Sequence, residues 1–238
     1  MRLGVMQPYF FPYLGHFSLI AACDQWVVFD VSQYTPKSWM SRNRVLHPNS
    51  GTNYISVSLS NSSINIKTNE ARIADWDAVR LSVIGELTHY RRAAPYYRRT
   101  MALVEEVFSD PVQTLVDLNV RALRTICRVL EINFNPVLAS SLSLDVGGID
   151  HAGAWAPMIC QVMGADEYIN PISGAFLFRP QDFKCIQVEL RFLDFTAPGY
   201  EMGSRPFEAN LSILDVLMWN DLPVIRQWLT DQMKLVCN

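Results

Sequence analysis

The chain has 238 residues, half of them hydrophobic and 18% charged, which is ample for a packed core and excludes a disordered chain. A formal charge of −3 lacks the basic footprint of a general nucleic-acid binder, and five cysteines without a CxxC pair argue against a zinc-type site. No apolar run is long enough to span a bilayer, and the start carries no secretion-signal pattern, so a cytoplasmic protein with core thiols and no metal is expected.

In chain order, RLGVMQ (Arg2 to Gln7) is a short apolar run closed by a turn and reads as a buried strand. MQPYFFPYLGHF (Met6 to Phe17) follows, where two prolines and a glycine forbid a regular element through most of the stretch. Leu14, Phe17, Leu19, Ile20 and Ala21 supply the apolar part of a short helix, and QWVVFDV (Gln25 to Val31) reads as a second buried strand. Strand, helix and strand together make a βαβ unit, which implies parallel strands. After the polar loop SQYTPKSWMSRNR, the runs RVLH and YISVSLS flank PNSGTN and predict a hairpin or ribbon.

From Asp75, a good N-cap, the spacing of Trp76, Val79, Val83, Ile84 and Leu87 predicts a helix. A second helix is expected from Pro95, and a third carries Leu115, Leu118, Ala122, Ile126 and Val129 on one stripe. NPVLASS then reads as a strand, and GIDHAGAWAPMICQVMG as a helix that Pro157 kinks or restarts. EYINP is a strand, GAFLF and IQVELRFLDF add β material, and SILDVLMWN with PVIRQWLTDQM close the chain as helices. The pattern predicts one Rossmann-like α/β domain over residues 1–238. It has a mostly parallel central sheet, a helical insert at about 75–131 and a small β-ribbon.

Parallel sheets bind ligands beyond the carboxyl ends of their strands, where the MQPYFFPYLGH loop is expected. Its aromatics either fold back onto the core or wall a pocket, and this position favours the pocket. Gln7, Tyr9 and Tyr13 are therefore substrate-binding candidates. Amides at the following helix start favour an anion; Gly15 would let the backbone approach it, and His16 would add a donor of tunable charge. The segment resembles the phosphate-binding H-x-G-H stretch of the nucleotidylyltransferase and pantothenate-synthetase superfamily, with Tyr13 in place of the first histidine. That likeness implies ATP or another nucleotide as a candidate cofactor.

In KSWMSRNR, Arg42 and Arg44 are two apart and would point to one side of an extended chain. There they can grip phosphate or carboxylate; Asn43 faces away, and Trp39 can stack on a planar group. Asn170, Ser173 and Gly174 follow EYINP at the carboxyl edge, where a Ser-Gly turn presents amides and a hydroxyl. Asp30, near the end of the second strand, is the candidate general base or metal ligand, with Gln33 just beyond it.

Taken in order, MQPYFFPYLGHFSLI, DQWVVFD, W-x-x-RNR, APYY, GADEYINPISG and LSILDVLMWN resemble the blocks of the WbqC-like proteins over nearly the whole chain. The resemblance implies a link to O-antigen and other surface-polysaccharide synthesis, and glycine (amino-acid) transfer to an amino sugar. Its implied partners are small molecules: a sugar nucleotide and an activated amino acid. Under it, Arg42, Arg44 and the Gly15-His16 turn hold phosphates and Asp30 is the base. Gln33 and Asn43 orient substrate, and Tyr9, Tyr13 and Trp39 stack on base or sugar. An ATP-dependent acyl-adenylate ligase and a non-catalytic sugar-nucleotide-binding protein are the alternatives. Here Phe29-Asp30-Val31-Ser32-Gln33 keeps only one of the two aspartates usual in the family, and His16 stands where relatives often carry tyrosine.

Overall fold

The computed structural model describes residues 1–203 and 205–237. Strand β1 (Arg2–Met6) lies at the heart of a six-stranded sheet, with β2 (Gln25–Val28) on one side and β6 (Glu167–Pro171) on the other. Both pairings are parallel: Val5 stands opposite Val27, and Leu3 opposite both Gln25 and Tyr168. The sheet runs β5-β2-β1-β6-β7-β8, with β5 Pro136–Leu138, β7 Glu189–Phe195 and β8 Met233–Cys237. Only β8 is antiparallel. A separate antiparallel ribbon joins β3 (Arg42–Leu46) to β4 (Thr52–Ser56).

Side chains alternate across this sheet as the pleat requires, and helices cover both faces, which is why the central strands are apolar on both sides. Leu3, Val5 and Val27 join Ile159 of α5 (Trp155–Met163) and Phe183 of α6 (Pro180–Lys184) in one core. Trp26 and Val28 face the other, larger core. That core gathers α1 (Leu14–Ala22), α2 (Trp76–Leu87), α3 (Tyr97–Val107), α4 (Leu115–Val129), α7 (Ile213–Trp219) and α8 (Leu222–Asp231). Each large side chain fully buried there contributes about 1.5–3 kcal/mol relative to exposure.

Helices α2 and α4 fall where the spacing placed them, whereas α3 starts at Tyr97, so the expected first-turn residue Pro95 lies in the turn before it. Asp75 caps α2 by accepting from the Ala78 amide at 2.9 Å, and Leu115, Leu118, Ala122 and Ile126 of α4 are buried. Pro157 restarts rather than kinks its helix: α5 begins two residues earlier, so the proline occupies the first turn, where no amide is needed. GAFLF is not a strand but part of a 3-10 helix, Ile172–Leu177. A short apolar run without period is ambiguous between the two, and this one lies past the end of β6. The core-thiol reading also needs correction, since Cys127 and Cys160 are buried but Cys185 and Cys237 are exposed. No helix among the described residues is long and apolar enough to cross a membrane.

Candidate functional site

Connections leave β1 in one direction toward β2 and β5, while β6 and β7 extend the sheet in the other. The boundary between β1 and β6 is therefore a topological switch point, where loops diverge from adjacent strand ends and leave a crevice. Two cavities open there, of about 510 and 670 Å³. They meet along Met6 at the end of β1, Pro171 at the end of β6, Tyr9 from the first loop and Ser173 from the 3-10 helix.

The ring-rich loop divides its side chains between two tasks. Phe10, Phe11 and Phe17 are fully buried in the larger core, while Tyr9, Tyr13 and His16 line the smaller cavity. Its backbone is pinned from several directions. Asn43 donates to the Phe10 and Phe11 carbonyls at 3.0 and 2.9 Å, Ser212 to Phe11 at 2.8 Å, and Asn119 to the Pro8 carbonyl at 2.7 Å. Phe11 has φ of 39°, a left-handed conformation costly for a non-glycine residue, which these bonds hold in place.

In the smaller cavity, Arg44 is the one charged side chain among the described lining residues. Its guanidinium lies 6.0 Å from the Trp39 ring, and Trp39 remains 40% exposed, so a planar face and a cation flank the opening together. Burial raises the hydroxyl pKa of both Tyr9 and Tyr13, keeping them neutral donors. His16 is buried between Tyr9 and Trp26, its ring 5.5 and 5.4 Å from theirs. Desolvation pushes its pKa down to about 3, and its Nε2 has no partner within the protein.

The larger cavity adds Gln7, Gln33, Asn170 and Gly174 to the shared residues, with walls from Phe29, Val31, Trp155 and Phe178. Gln7 donates to the Ser32 hydroxyl at 2.9 Å and Gln33 to the Ile64 carbonyl at 2.6 Å. Asn170 donates to the Tyr168 hydroxyl at 2.8 Å, and its Oδ1 lies 2.6 Å from where a Cβ on Gly174 would be. Any side chain at Gly174 would have to displace the Asn170 amide, so the turn closes against the end of β6.

The structure thus brings Gln7, Tyr9, Tyr13, His16, Gln33, Trp39, Asn43, Arg44, Asn170, Ser173 and Gly174 to the two cavities. It separates the others and changes several roles. Arg42 lines neither cavity; its guanidinium sits 4.3 Å over the Tyr54 ring, supplied from β4. Asp30 is buried away from both, and its two oxygens accept from the Ser140 amide and hydroxyl at 2.9 and 2.6 Å. That carboxylate fastens the end of β2 to the segment after β5 and lines neither cavity, so it does not reach a substrate held there. Gly15 serves ring packing rather than a ligand: a Cβ there would strike the Tyr13 ring and lie 2.7 Å from Phe195. Asn43 spends its amide on the loop carbonyls instead of on a substrate. His16 cannot vary its charge near neutral pH.

Two polar groups central to this framework carried little signal in the sequence. Asn119 sits beside the apolar stripe of α4, and its burial under the first loop follows only from tertiary packing. Asp215 of α7 is fully buried and accepts from Tyr90 and, at 2.8 Å, from Tyr200; Tyr90 in turn accepts from the Leu46 amide at 2.8 Å. Tyr90 is therefore an internal strut behind β3.

Comparison with known sequences places this architecture among relatives. The profile described as the WbqC-like protein family matches residues 7–226. An uncharacterized protein of Mycobacterium tuberculosis is 26% identical over 218 residues, covering 91% of this chain and 92% of its own. No solved structure matches at a significant level.

Proposed function

The chain belongs to the WbqC-like protein family, and on that premise we propose a transferase of surface-polysaccharide synthesis that joins an amino acid or related acyl group to the amino group of a sugar nucleotide. The observation that carries this reading is the pair of cavities meeting at the switch point. A transferase must hold two substrates with their reacting ends together, and shared residues at the seam provide such a meeting place. The smaller cavity suits the sugar nucleotide. Arg44 meets phosphate, Trp39 and Tyr13 offer faces for a base or sugar ring, and Tyr9 and Ser173 offer hydroxyls to the acceptor. The larger cavity takes the acyl donor.

The described lining residues include no free carboxylate and no histidine that titrates near neutrality. This favours a second reading, a sugar-nucleotide-binding protein without catalysis. One experiment separates the two. Calorimetric titration with a uridine diphosphate amino sugar should give Arg44-dependent binding under both readings. Incubation with an activated amino acid should then yield an amide-linked product only if the protein is a transferase. Failure of the sugar nucleotide to bind would overturn both.

A further inference from the structure

Every described side chain lining the larger cavity is uncharged, although the cavity holds about 670 Å³ and opens to solvent. A phosphate placed there would lose its water without gaining a cation, a loss that neutral donors offset only in part. An aminoacyl adenylate brings its phosphate next to the reacting carbonyl, and ATP brings three. The lining instead suits a neutral, elongated group. Gln7, Gln33 and Asn170 bond their amide nitrogens within the protein, which leaves their amide oxygens as acceptors for a ligand's N–H groups; Ser173 adds a hydroxyl, and the edge-to-face pair of Phe29 and Trp155, 5.2 Å apart, forms an apolar wall. At the mouth, Phe176 is 84% exposed, and Leu177 from the same 3-10 helix is also exposed.

We propose that the larger cavity receives the acyl donor as a thioester on an extended, uncharged, amide-bearing arm. This rests on the transferase reading and names its donor class. The step balances without any other reactant. The acceptor's neutral amine attacks the thioester carbonyl, a C–N bond forms and the C–S bond breaks. The electron pair leaves on sulfur, and the proton released by nitrogen passes to the thiolate, giving an amide and a free thiol. Because the leaving thiolate takes that proton, the cavity needs no carboxylate base. Ser173, which lines both cavities, carries a hydroxyl that can donate to the carbonyl oxygen as it gains charge.

The test is calorimetric titration of the full chain, without acceptor sugar, using S-acetylpantetheine and ATP as probes. S-acetylpantetheine should bind the wild type, and Val31→Trp, which fills the cavity from one wall, should weaken it at least tenfold. Should Val31→Trp not fold, Ala152→Trp at the exposed rim serves the same purpose, with at least a threefold loss expected. Neither variant should alter uridine diphosphate amino sugar affinity by more than twofold. No binding of S-acetylpantetheine, or ATP binding that the same substitutions abolish, would overturn the assignment. Since the sugar is absent, such a result strikes the donor class alone, and the acceptor cavity keeps its own titration.

Discussion

The Asn43 side-chain amide donates to the Phe11 carbonyl at 2.9 Å, and Phe11 is the residue whose φ of 39° turns the first loop back over the sheet. One buried asparagine on β3 thus helps to fix both the phenylalanine plug below the loop and the tyrosine wall above it. Asn43→Ala would leave the Phe10 carbonyl without this donor and release the Phe11 turn. We expect a loss of about 2–3 kcal/mol in urea denaturation. Sugar-nucleotide affinity should fall with it, because Tyr9 and Tyr13 share that loop.

Arg42 and Arg44 are a matched pair by spacing but not by surroundings. Arg44→Ala should weaken a uridine diphosphate amino sugar at least tenfold with the fold intact, whereas Arg42→Ala should change affinity less than twofold. Equal losses in calorimetry would mean that Arg42 leaves Tyr54 to reach the ligand.

Asp30 is expected to matter for stability and not for proton transfer. Asp30→Ala leaves the Ser140 amide and hydroxyl unsatisfied and should cost about 1–3 kcal/mol. Asp30→Asn keeps one acceptor and should retain product formation within a few-fold, with an unchanged pH profile. A loss of a hundredfold or more in Asp30→Asn at full stability would restore the base role.

Burial pushes the Asp215 carboxyl up to about 6, above its ordinary value of 3.8, despite the bonds from Tyr90 and Tyr200. The folded state therefore holds this proton between pH 4 and 6 after the unfolded chain has lost it. The sign follows: its stabilising effect is complete below pH 4 and is lost as pH rises through 6. The linkage amounts to about 3 kcal/mol. Chemical denaturation across that range should show this decline in the wild type and a flatter profile in Asp215→Asn.

His16 titrates in the opposite sense. With its pKa lowered to about 3 by desolvation, the folded chain stays neutral there while the unfolded chain takes up a proton below 6.5. Stability from this group is thus full above pH 6.5 and is lost as pH falls toward 3. His16→Phe should remove that acid-side slope, as read by denaturation at stepped pH.

Much of this was legible from local pattern. EYINP gave β6 to its boundaries, Asp75 marked the start of α2, and the aromatic loop was expected at the edge where both cavities open. What stayed hidden depends on partners distant in sequence. Tyr54 decides that Arg42 stacks outside the cleft, Ser140 decides that Asp30 is occupied, and Tyr9 and Trp26 enclose His16. The run MKLVC at the end of the chain showed no period of its own and became β8 only by pairing antiparallel to β7. Gly15 had the right residue type for a phosphate loop, but the rings of Tyr13 and Phe195 fill the space a ligand would need.

The measurement that bears most directly on the switch-point site is amide chemical-shift mapping with a uridine diphosphate amino sugar. The largest changes should gather at Tyr9, Tyr13, Arg44 and Ser173 and vanish in Arg44→Ala. Changes centred instead on the arginine-rich surface from Arg91 to Arg99, with the β1–β6 boundary silent, would contradict the account.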